Sequence, residues 1–384
     1  MKILFIASGN HEMPSPVVNN QAEALMSEGV EIEWFLLKGK GIKGYLRNVK
    51  PLRQYLCKHP YDAIHAHYSL SAFVASLSGA KPLVVSLMGS DVKAAGWYKF
   101  IIRLFARLFR WKAIIVKSND MFRDLGIKRA VVIPNGVNMD RFKPMDKSEC
   151  QRRLGWDLSY NQKNDKKNTE SSADTDSILT GINQQSANEQ DSLLTSAQSR
   201  SKDIVTQYPS DDPEKNTKNN SSTNGRVLHV LFPADAKRPE KDYALAEAAV
   251  ERVRELESER IRGVELHAFE NTPNEETPYW YNAADVVLMT SKWEGSPNAI
   301  KEAMACSRPI VATNVGDIAE RLHDLEGCFV VNRKELESER ISELANALVK
   351  AMEFKETKGR ERIIADGLDA HEINKKLIEV YKVK

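Results

Sequence analysis

The chain opens on Lys2-Ile3-Leu4-Phe5-Ile6-Ala7-Ser8, a run too short for a buried helix and without the polar alternation of a strand wetted on one face. A strand apolar on both faces belongs inside a parallel sheet, and parallel strands need a crossover, usually a helix, between them. The chain supplies that alternation. Gly9-Asn10 turns it, and a helix is expected near Val17 to Ser27. Strands follow at Val30 to Leu37, Ala63 to Ala66 and Leu83 to Leu87, then at Ala113 to Lys117 and Ala130 to Ile133. Helices fall between them near Leu52 to Lys58 and Trp97 to Arg110. After residue 225 the pattern restarts, with strands at Val227 to Phe232, Val264 to Ala268, Val286 to Thr290, Ile310 to Thr313 and Phe329 to Val331. A helix is expected at Tyr243 to Leu256, and a helical tail from Ile341 to Tyr381. The expected fold class is α/β: two Rossmann-like domains, residues 1–145 and 226–384, with a cleft between them.

Residues 157–225 break the pattern. They are rich in Ser, Asn, Gln, Asp, Lys and Thr and read as a disordered insertion, too polar to offset the entropy of ordering. Asp174-Thr175-Asp176 inside it follows no strand and is not read as a metal–sugar-nucleotide site. The four cysteines, Cys57, Cys150, Cys306 and Cys328, form no Cys-x-x-Cys pair and read as free thiols of a reducing compartment. No stretch approaches the roughly 18 apolar residues of a membrane helix, so a cytoplasmic, soluble or peripheral protein is expected. The net charge of +2 conceals an asymmetry. Residues 1–145 carry 21 Lys and Arg against 10 Asp and Glu, a balance of +11, and the remaining 34 against 43 leave −9. A basic first half fits an anionic partner as well as a plain solvated face.

The chemistry concentrates in Thr290-Ser291-Lys292-Trp293-Glu294-Gly295-Ser296-Pro297-Asn298. A strand ends at Thr290, Ser296 is placed as an N-cap and Pro297 as the first helical residue. A helix N-terminus at the carboxyl end of a parallel strand is where open α/β sheets bind ligands and where free N–H groups favour anions. Glu294 precedes the helix and Glu302 lies inside it, so two carboxylates line one cleft, each able to accept two hydroxyl hydrogen bonds.

Glu294 and Glu302, within Glu-Gly-Ser-Pro-Asn-x3-Glu-Ala-Met-Ala, resemble the signature of the large retaining GT-B glycosyltransferase family numbered four. Pro309-Ile310-Val311-Ala312-Thr313 with Gly316-Asp317, and Tyr281-Asn282-Ala283-Ala284-Asp285, continue the likeness. Ile133-Pro134-Asn135-Gly136-Val137 with Phe142-x-Pro144 resembles the family's segment at the end of the first domain. The resemblance implies a nucleotide-sugar donor whose ribose hydroxyls bind Glu302. The transferred sugar would meet Glu294 and the backbone around Gly295, Ser296 and Asn298. It implies Lys241 at the diphosphate, with Arg238 or Lys237 in place of the family's arginine, because Ala234-Asp235 stands where Gly-Arg is usual. Gly9 and Asn10 would be the first domain's loop near the diphosphate, though without the family's paired glycines. Gly89-Ser90-Asp91 matches an acceptor-side segment, but Met88 replaces the usual histidine. His67 is expected in the core or lining the acceptor side, since His65 and His67 find no further ligands for zinc. No metal or cofactor is expected, and cations neutralise the leaving diphosphate.

Lys99, Arg103, Arg107 and Arg110 form a basic stripe on the Trp97 to Arg110 helix, with Phe100, Ile101, Leu104, Phe105, Leu108 and Trp111 on its other side. Lys38, Lys40, Lys43, Arg47, Lys50 and Arg53 extend the charge. Two readings stand: a helix packed on its sheet with a wet basic face, or a helix lying on an anionic membrane. The expected partners are a nucleotide-sugar and a glycan or lipid-linked acceptor, with a peripheral place on the inner face of the plasma membrane and no nucleic acid. A sugar-nucleotide epimerase and a catalytically degenerate sugar-nucleotide binding module remain as alternatives; intact Glu294, Glu302 and Lys241 argue against the second.

Overall fold

The computed structural model describes residues 1–10, 14–93, 96–156, 226–257 and 261–382. The segment expected to be an insertion, Asp174-x-Asp176 included, lies outside them. The first sheet holds β1 (Lys2–Ser8), β2 (Glu31–Leu37), β3 (Ala63–His67), β4 (Leu83–Ser86), β5 (Ala113–Val116) and β6 (Val131–Val132), all parallel, in the order β2-β1-β3-β4-β5-β6. The second holds β7 (Arg226–Phe232), β8 (Ile261–Ala268), β9 (Val286–Met289), β10 (Ile310–Thr313) and β11 (Cys328–Val331), also parallel, in the order β11-β10-β9-β7-β8. Each sheet reverses its order beside its first strand, between β1 and β3 and between β7 and β9. That switch point opens a crevice at the carboxyl ends of the strands, where doubly wound sheets take ligands.

Burial on both faces follows the apolar runs. Ile3, Leu4, Phe5 and Ile6 are fully buried, as are Val286, Val287 and Leu288. The domain boundaries expected from the sequence need correction at both ends. Val137, Phe142, Cys150 and Trp156 pack into the core of the second sheet. In return, the last helix, Ala370–Lys382, packs Ile373, Leu377 and Tyr381 against Ile3, Phe5 and Ile115 of the first. The Tyr381 hydroxyl sits 2.6 Å from His65 Nδ1, and the His65 Nε2 lies 2.8 Å from the Ser86 hydroxyl. The two domains therefore exchange segments. The apolar face of the last helix was legible, but the residues it packs on lie more than 200 residues away, with Tyr381 and His65 316 apart.

The helix expected at Trp97 to Arg110 runs Gly96–Leu108. Its packed face is Ile102 and Ala106. Trp97, Phe100 and Leu108 are 62–65% exposed and Leu104 is 40% exposed, so these apolar side chains face out, contrary to a simple sheet-packing arrangement.

Candidate active site

The loops leaving β7 and β9 meet at the second sheet's switch point. After β7 the chain passes Asp235 and a short turn, Pro239–Lys241, to Asp242, whose φ of +56° turns it into the Tyr243–Leu256 helix. Thr290, just past β9, pins that turn: its hydroxyl donates to the carbonyls of Lys241 and Asp242 at 3.0 and 2.9 Å. Thr313, at the end of β10, donates in turn to the Ser291 carbonyl at 2.8 Å. Lys241 and Glu294 are thereby brought together in an ion pair, and the Ser291 hydroxyl adds a 2.9 Å bond to the same Glu294 oxygen. Both side chains are about six-sevenths buried (14% and 15% exposed), so the pair is shielded from salt while keeping an edge open to the crevice.

Of the other two cations, Arg238 is half exposed and its guanidinium pairs with Glu240 at 2.6 Å. Lys237 is exposed at the turn, and its N–H donates to Asp235 at 2.8 Å. The structure thus brings Lys241 to the carboxylate and leaves Arg238 and Lys237 at the rim.

The helix after β9 runs Asn298–Ala305, one residue later than the expected start. Ser296 is not its cap, because Pro297 occupies that position in extended backbone with no side-chain cap bond. The buried Ser296 hydroxyl instead accepts from Lys301 Nζ at 3.2 Å. Lys301 also donates to the carbonyl of Asn135 at 2.7 Å, tying this helix to the segment leaving the first sheet. Asn298 faces Asn135 across 3.4 Å. Glu302 accepts a 2.8 Å hydrogen bond from the Tyr281 hydroxyl. Burial pushes the Glu302 carboxyl above its ordinary range, and burial also drives the Tyr281 hydroxyl up. Glu302 and Asn298 line a cavity of about 550 Å³, walled on the other side by Val17 and Asn20 of the Pro16–Ser27 helix.

Gly295 meets the first domain directly. A Cβ on Gly89 would stand 2.8 Å from Gly295 N, and a Cβ on Gly316 would stand 2.5 Å from Gly295 O. Three glycine backbones therefore converge where the two sheets' loops touch, a contact no side chain would allow. Gly9 approaches Leu36 as tightly, at 2.6 Å from an added Cβ. Asn10 uses both ends of its amide on Gly39, accepting from its N–H at 2.8 Å and donating to its carbonyl at 3.1 Å. In this conformation Gly9 and Asn10 hold the loop after β2.

In the first domain, Asp91, expected on the acceptor side, is buried and fully engaged. One oxygen accepts from the Ser69 hydroxyl and N–H at 2.5 and 3.2 Å, and the other from Met88 N at 2.8 Å. It forms part of the wall of a cavity of about 620 Å³ with Tyr45, Tyr68, Trp97 and Tyr98, at the first sheet's switch point. His67 lies deeper. It is fully buried against Phe5, 4.7 Å between rings, and burial drives its ring well below the ordinary pKa. That places it in the core, the first of its two expected settings.

Two features escaped the sequence. Lys117, the residue after β5, is buried, and among the described residues its Nζ has no hydrogen-bond partner. Burial pushes its ammonium down to about 7, with Lys301 adding repulsion; burial takes Lys301 itself to about 8. The signal was a lysine closing an otherwise apolar strand. The second is a grouping of His229, Glu265 and His267 on adjacent strands β7 and β8, signalled only by the alternation Glu265-x-His267. Among the described residues no helix is long and apolar enough to cross a membrane.

Family models match both domains: Glycosyltransferase Family 4 over residues 17–141 and Glycosyl transferases group 1 over residues 237–353. Among curated proteins, the lipopolysaccharide core biosynthesis mannosyltransferase LpsB of Rhizobium meliloti (strain 1021) is 25% identical over 240 residues, 62% of this chain. The match spans about half of that relative, 53% of its length. Among solved structures, sucrose-phosphate synthase from Thermosynechococcus elongatus superposes with a TM-score of 0.63 at 15% identity, covering 100% of this chain and 98% of its own. Anabaena HepE in complex with UDP and glucose gives 0.58 at 16% identity, over 99% and 98% of the two chains. A glycosyltransferase from Rickettsia africae gives 0.57 at 14%, over 99% and 97%. The solved structures share the fold, and a family model lies on each sheet with Lys241, Glu294 and Glu302 gathered in the second: the chain belongs to the group 1, family 4 glycosyltransferases of GT-B architecture.

Proposed function

We propose that the chain transfers a sugar, with retention and without a metal at the donor phosphates, from a nucleotide-sugar to a glycan or lipid-linked acceptor. The observation that carries this is the Lys241–Glu294 pair at the switch point of the second sheet, with Glu302 on the helix that follows. The ammonium of Lys241 offers charge to the departing diphosphate, and Arg238 and Lys237 at the rim add to it. Glu294, already anchored by Ser291, accepts hydroxyls of the transferred sugar, and Glu302 accepts those of the ribose. The free N–H groups ahead of the Asn298–Ala305 helix, around Gly295 and Ser296, add donors for an anion. The Gly89–Gly295 contact brings the first domain over the donor and keeps water from the reacting carbon. The mannosyltransferase relative and the UDP-bound neighbour frame the test. Turnover is measured over UDP- and GDP-sugars in EDTA, with the product anomer read by NMR. An inverted product, or activity restored only by Mg²⁺ or Mn²⁺, contradicts the mechanism; no turnover or hydrolysis of any donor favours the degenerate module.

A membrane setting for the acceptor is supported by the exposed row of Trp97, Phe100, Leu104 and Leu108 on the Gly96–Leu108 helix. Ile42 and Leu46, also exposed, extend it on the Gly41–Leu46 helix. Tyr45 and Trp97 from these helices line the 620 Å³ cavity, so an apolar anchor and an aromatic-walled acceptor pocket adjoin. Beside the row, Arg103, Arg107, Arg110 and Arg129 surround a hollow of about 300 Å³ suited to phosphate headgroups. This combination supports a peripheral position on an anionic cytoplasmic leaflet, with a lipid-linked acceptor.

A further inference from the structure

His229 on β7 and Glu265 and His267 on β8 project from the same face of the second sheet, because His229 pairs in register with Glu265 and His267 lies two residues further along. Three of their atoms form a closed triangle. His229 Nδ1 lies 3.0 Å from His267 Nε2 and 3.7 Å from Glu265 Oε2, and His267 Nε2 lies 3.5 Å from the same oxygen. The point equidistant from the three atoms is about 2.0 Å from each. Zinc bonds to imidazole and carboxylate at roughly 2.0–2.2 Å in a tetrahedral arrangement, which sets its ligand atoms about 3.3–3.6 Å apart. The triangle, with edges of 3.0, 3.5 and 3.7 Å, comes within about 0.3 Å of one face of a zinc tetrahedron.

The surroundings suit an ion. The three side chains are only 7–18% exposed. The Trp156 ring lies flat on His267, with centroids 3.6 Å apart and planes 8° from parallel, and shields the group from solvent. Asp285 accepts a 2.8 Å bond from the His229 backbone N–H and pairs with Lys147, which fixes the strand carrying the first ligand. The group lies along the strands, whereas Lys241 and Glu294 stand in the loops beyond their carboxyl ends.

We propose that His229, Glu265 and His267 bind one divalent first-row transition ion, zinc by the two-imidazole, one-carboxylate donor set. The ion is structural. It clamps edge strand β8 to β7 under Trp156, where the chain leaves for residues 157–225, and takes no part in the transfer reaction. In the metal-free state the 3.0 Å contact between the two imidazoles is a hydrogen bond with one shared proton. Ion binding needs both facing nitrogens unprotonated, so that proton moves to the far nitrogen of its ring.

The experiment uses the full chain stripped by chelator and titrated with Co²⁺. One equivalent should bind with the visible absorption of a four-coordinate site, and Zn²⁺ should bleach it. Glu265→Gln and His267→Gln should each lower affinity at least tenfold, and Zn²⁺ should raise the Tm of the wild type but not of the variants. Circular dichroism shows whether the variants fold; Trp156→Phe, with all three ligands intact, should keep the absorption and lose part of the Co²⁺-induced fluorescence quenching. Absence of stoichiometric Co²⁺ uptake by folded wild type, or uptake unchanged in both ligand variants, reduces the triangle to a hydrogen-bonded network and overturns the proposal. Turnover on nucleotide-sugars does not enter this readout, so the site stands or falls apart from the glycosyltransferase reading.

Discussion

The Tyr281 hydroxyl donates a 2.8 Å hydrogen bond to the Glu302 carboxylate inside the second domain, and this bond opposes the rise in pKa that burial imposes on Glu302. A ribose diol donates two hydrogen bonds and needs the ionised carboxylate to accept both. Removing the carboxylate leaves donor hydroxyls unpaired, at a cost on the order of 1–3 kcal/mol. Glu302→Ala should therefore weaken binding of free nucleoside diphosphate by roughly ten- to a hundredfold, as read by calorimetry. Tyr281→Phe removes the group that favours ionisation. Its nucleotide affinity should fall off at a higher pH on the acid side than that of the wild type. Equal acid limbs in the two proteins would mean the hydroxyl does not tune Glu302.

In the proposed mechanism Lys241 and Glu294 act on different parts of the donor, and their variants should separate. Lys241→Ala removes charge that strengthens its interaction as the diphosphate leaves, so kcat should drop by about two orders of magnitude or more, with some loss of Tm because Glu294 stays buried without its partner. Glu294→Gln keeps the shape and the Ser291 contact but loses the pairing charge. It should lower kcat/KM for the whole donor while leaving affinity for the bare nucleoside diphosphate intact. Steady-state kinetics together with calorimetry on both variants is the check.

Lys117 makes stability depend on pH in a direction opposite to acid-stabilised carboxylates. The folded protein gives up this proton near pH 7, whereas an unfolded lysine holds it to about 10.5. Between those values the unfolded chain binds more protons, so stability contributed at this position rises with pH. Below about pH 7 the buried charge costs its full amount, on the order of a few kcal/mol. Lys117→Met should raise Tm at pH 6.5, and its advantage should shrink as the pH approaches 9. A variant advantage that is the same at both pH values would show that Lys117 is not a buried, depressed lysine.

Membrane attachment should need both the apolar row and the cations beside it. Wild-type protein is expected to co-sediment with anionic vesicles, less so as salt rises, and not with neutral ones. Arg103 is a poor residue to test, because its guanidinium donates to the Leu125 carbonyl at 2.7 Å and holds the fold. The triple change of Lys99, Arg107 and Arg110 to Glu, or Trp97 with Leu108 to Ser, should each abolish binding and keep the melting curve. Indifference of the wild type to anionic vesicles at low salt would move the acceptor to soluble sugars.

Much of the site lay in local sequence. Thr290 to Asn298 announced a strand end, a loop and a helix start, and the spacing of Glu294 and Glu302 put both on that one unit. The start of the helix was misplaced by one residue because Ser-Pro reads as cap and first turn. In the fold Lys301 claims the serine hydroxyl instead. The basic helix was legible as amphipathic, but which apolar residues it buries was not. Ile102 and Ala106 are the small wedge buried in the first domain's core, leaving the larger Trp97, Phe100 and Leu108 outside.

By itself the sequence determined the parallel α/β class, the repeat of that class after residue 225, and the residue types at the β9 loop, because continuous apolar runs and helix-start chemistry are local signals. Only the tertiary structure decided which residues meet. Strand order set β7 beside β9 and so joined Lys241 to Glu294, 53 residues apart, and set β7 beside β8 and so joined His229 to His267. It also sent the last helix back to the first sheet, where Tyr381 reaches His65 across 316 residues. Periodicity records which side of an element must leave water. The surface that covers it is chosen by packing and hydrogen-bond satisfaction over the whole chain, and no local pattern carries that choice.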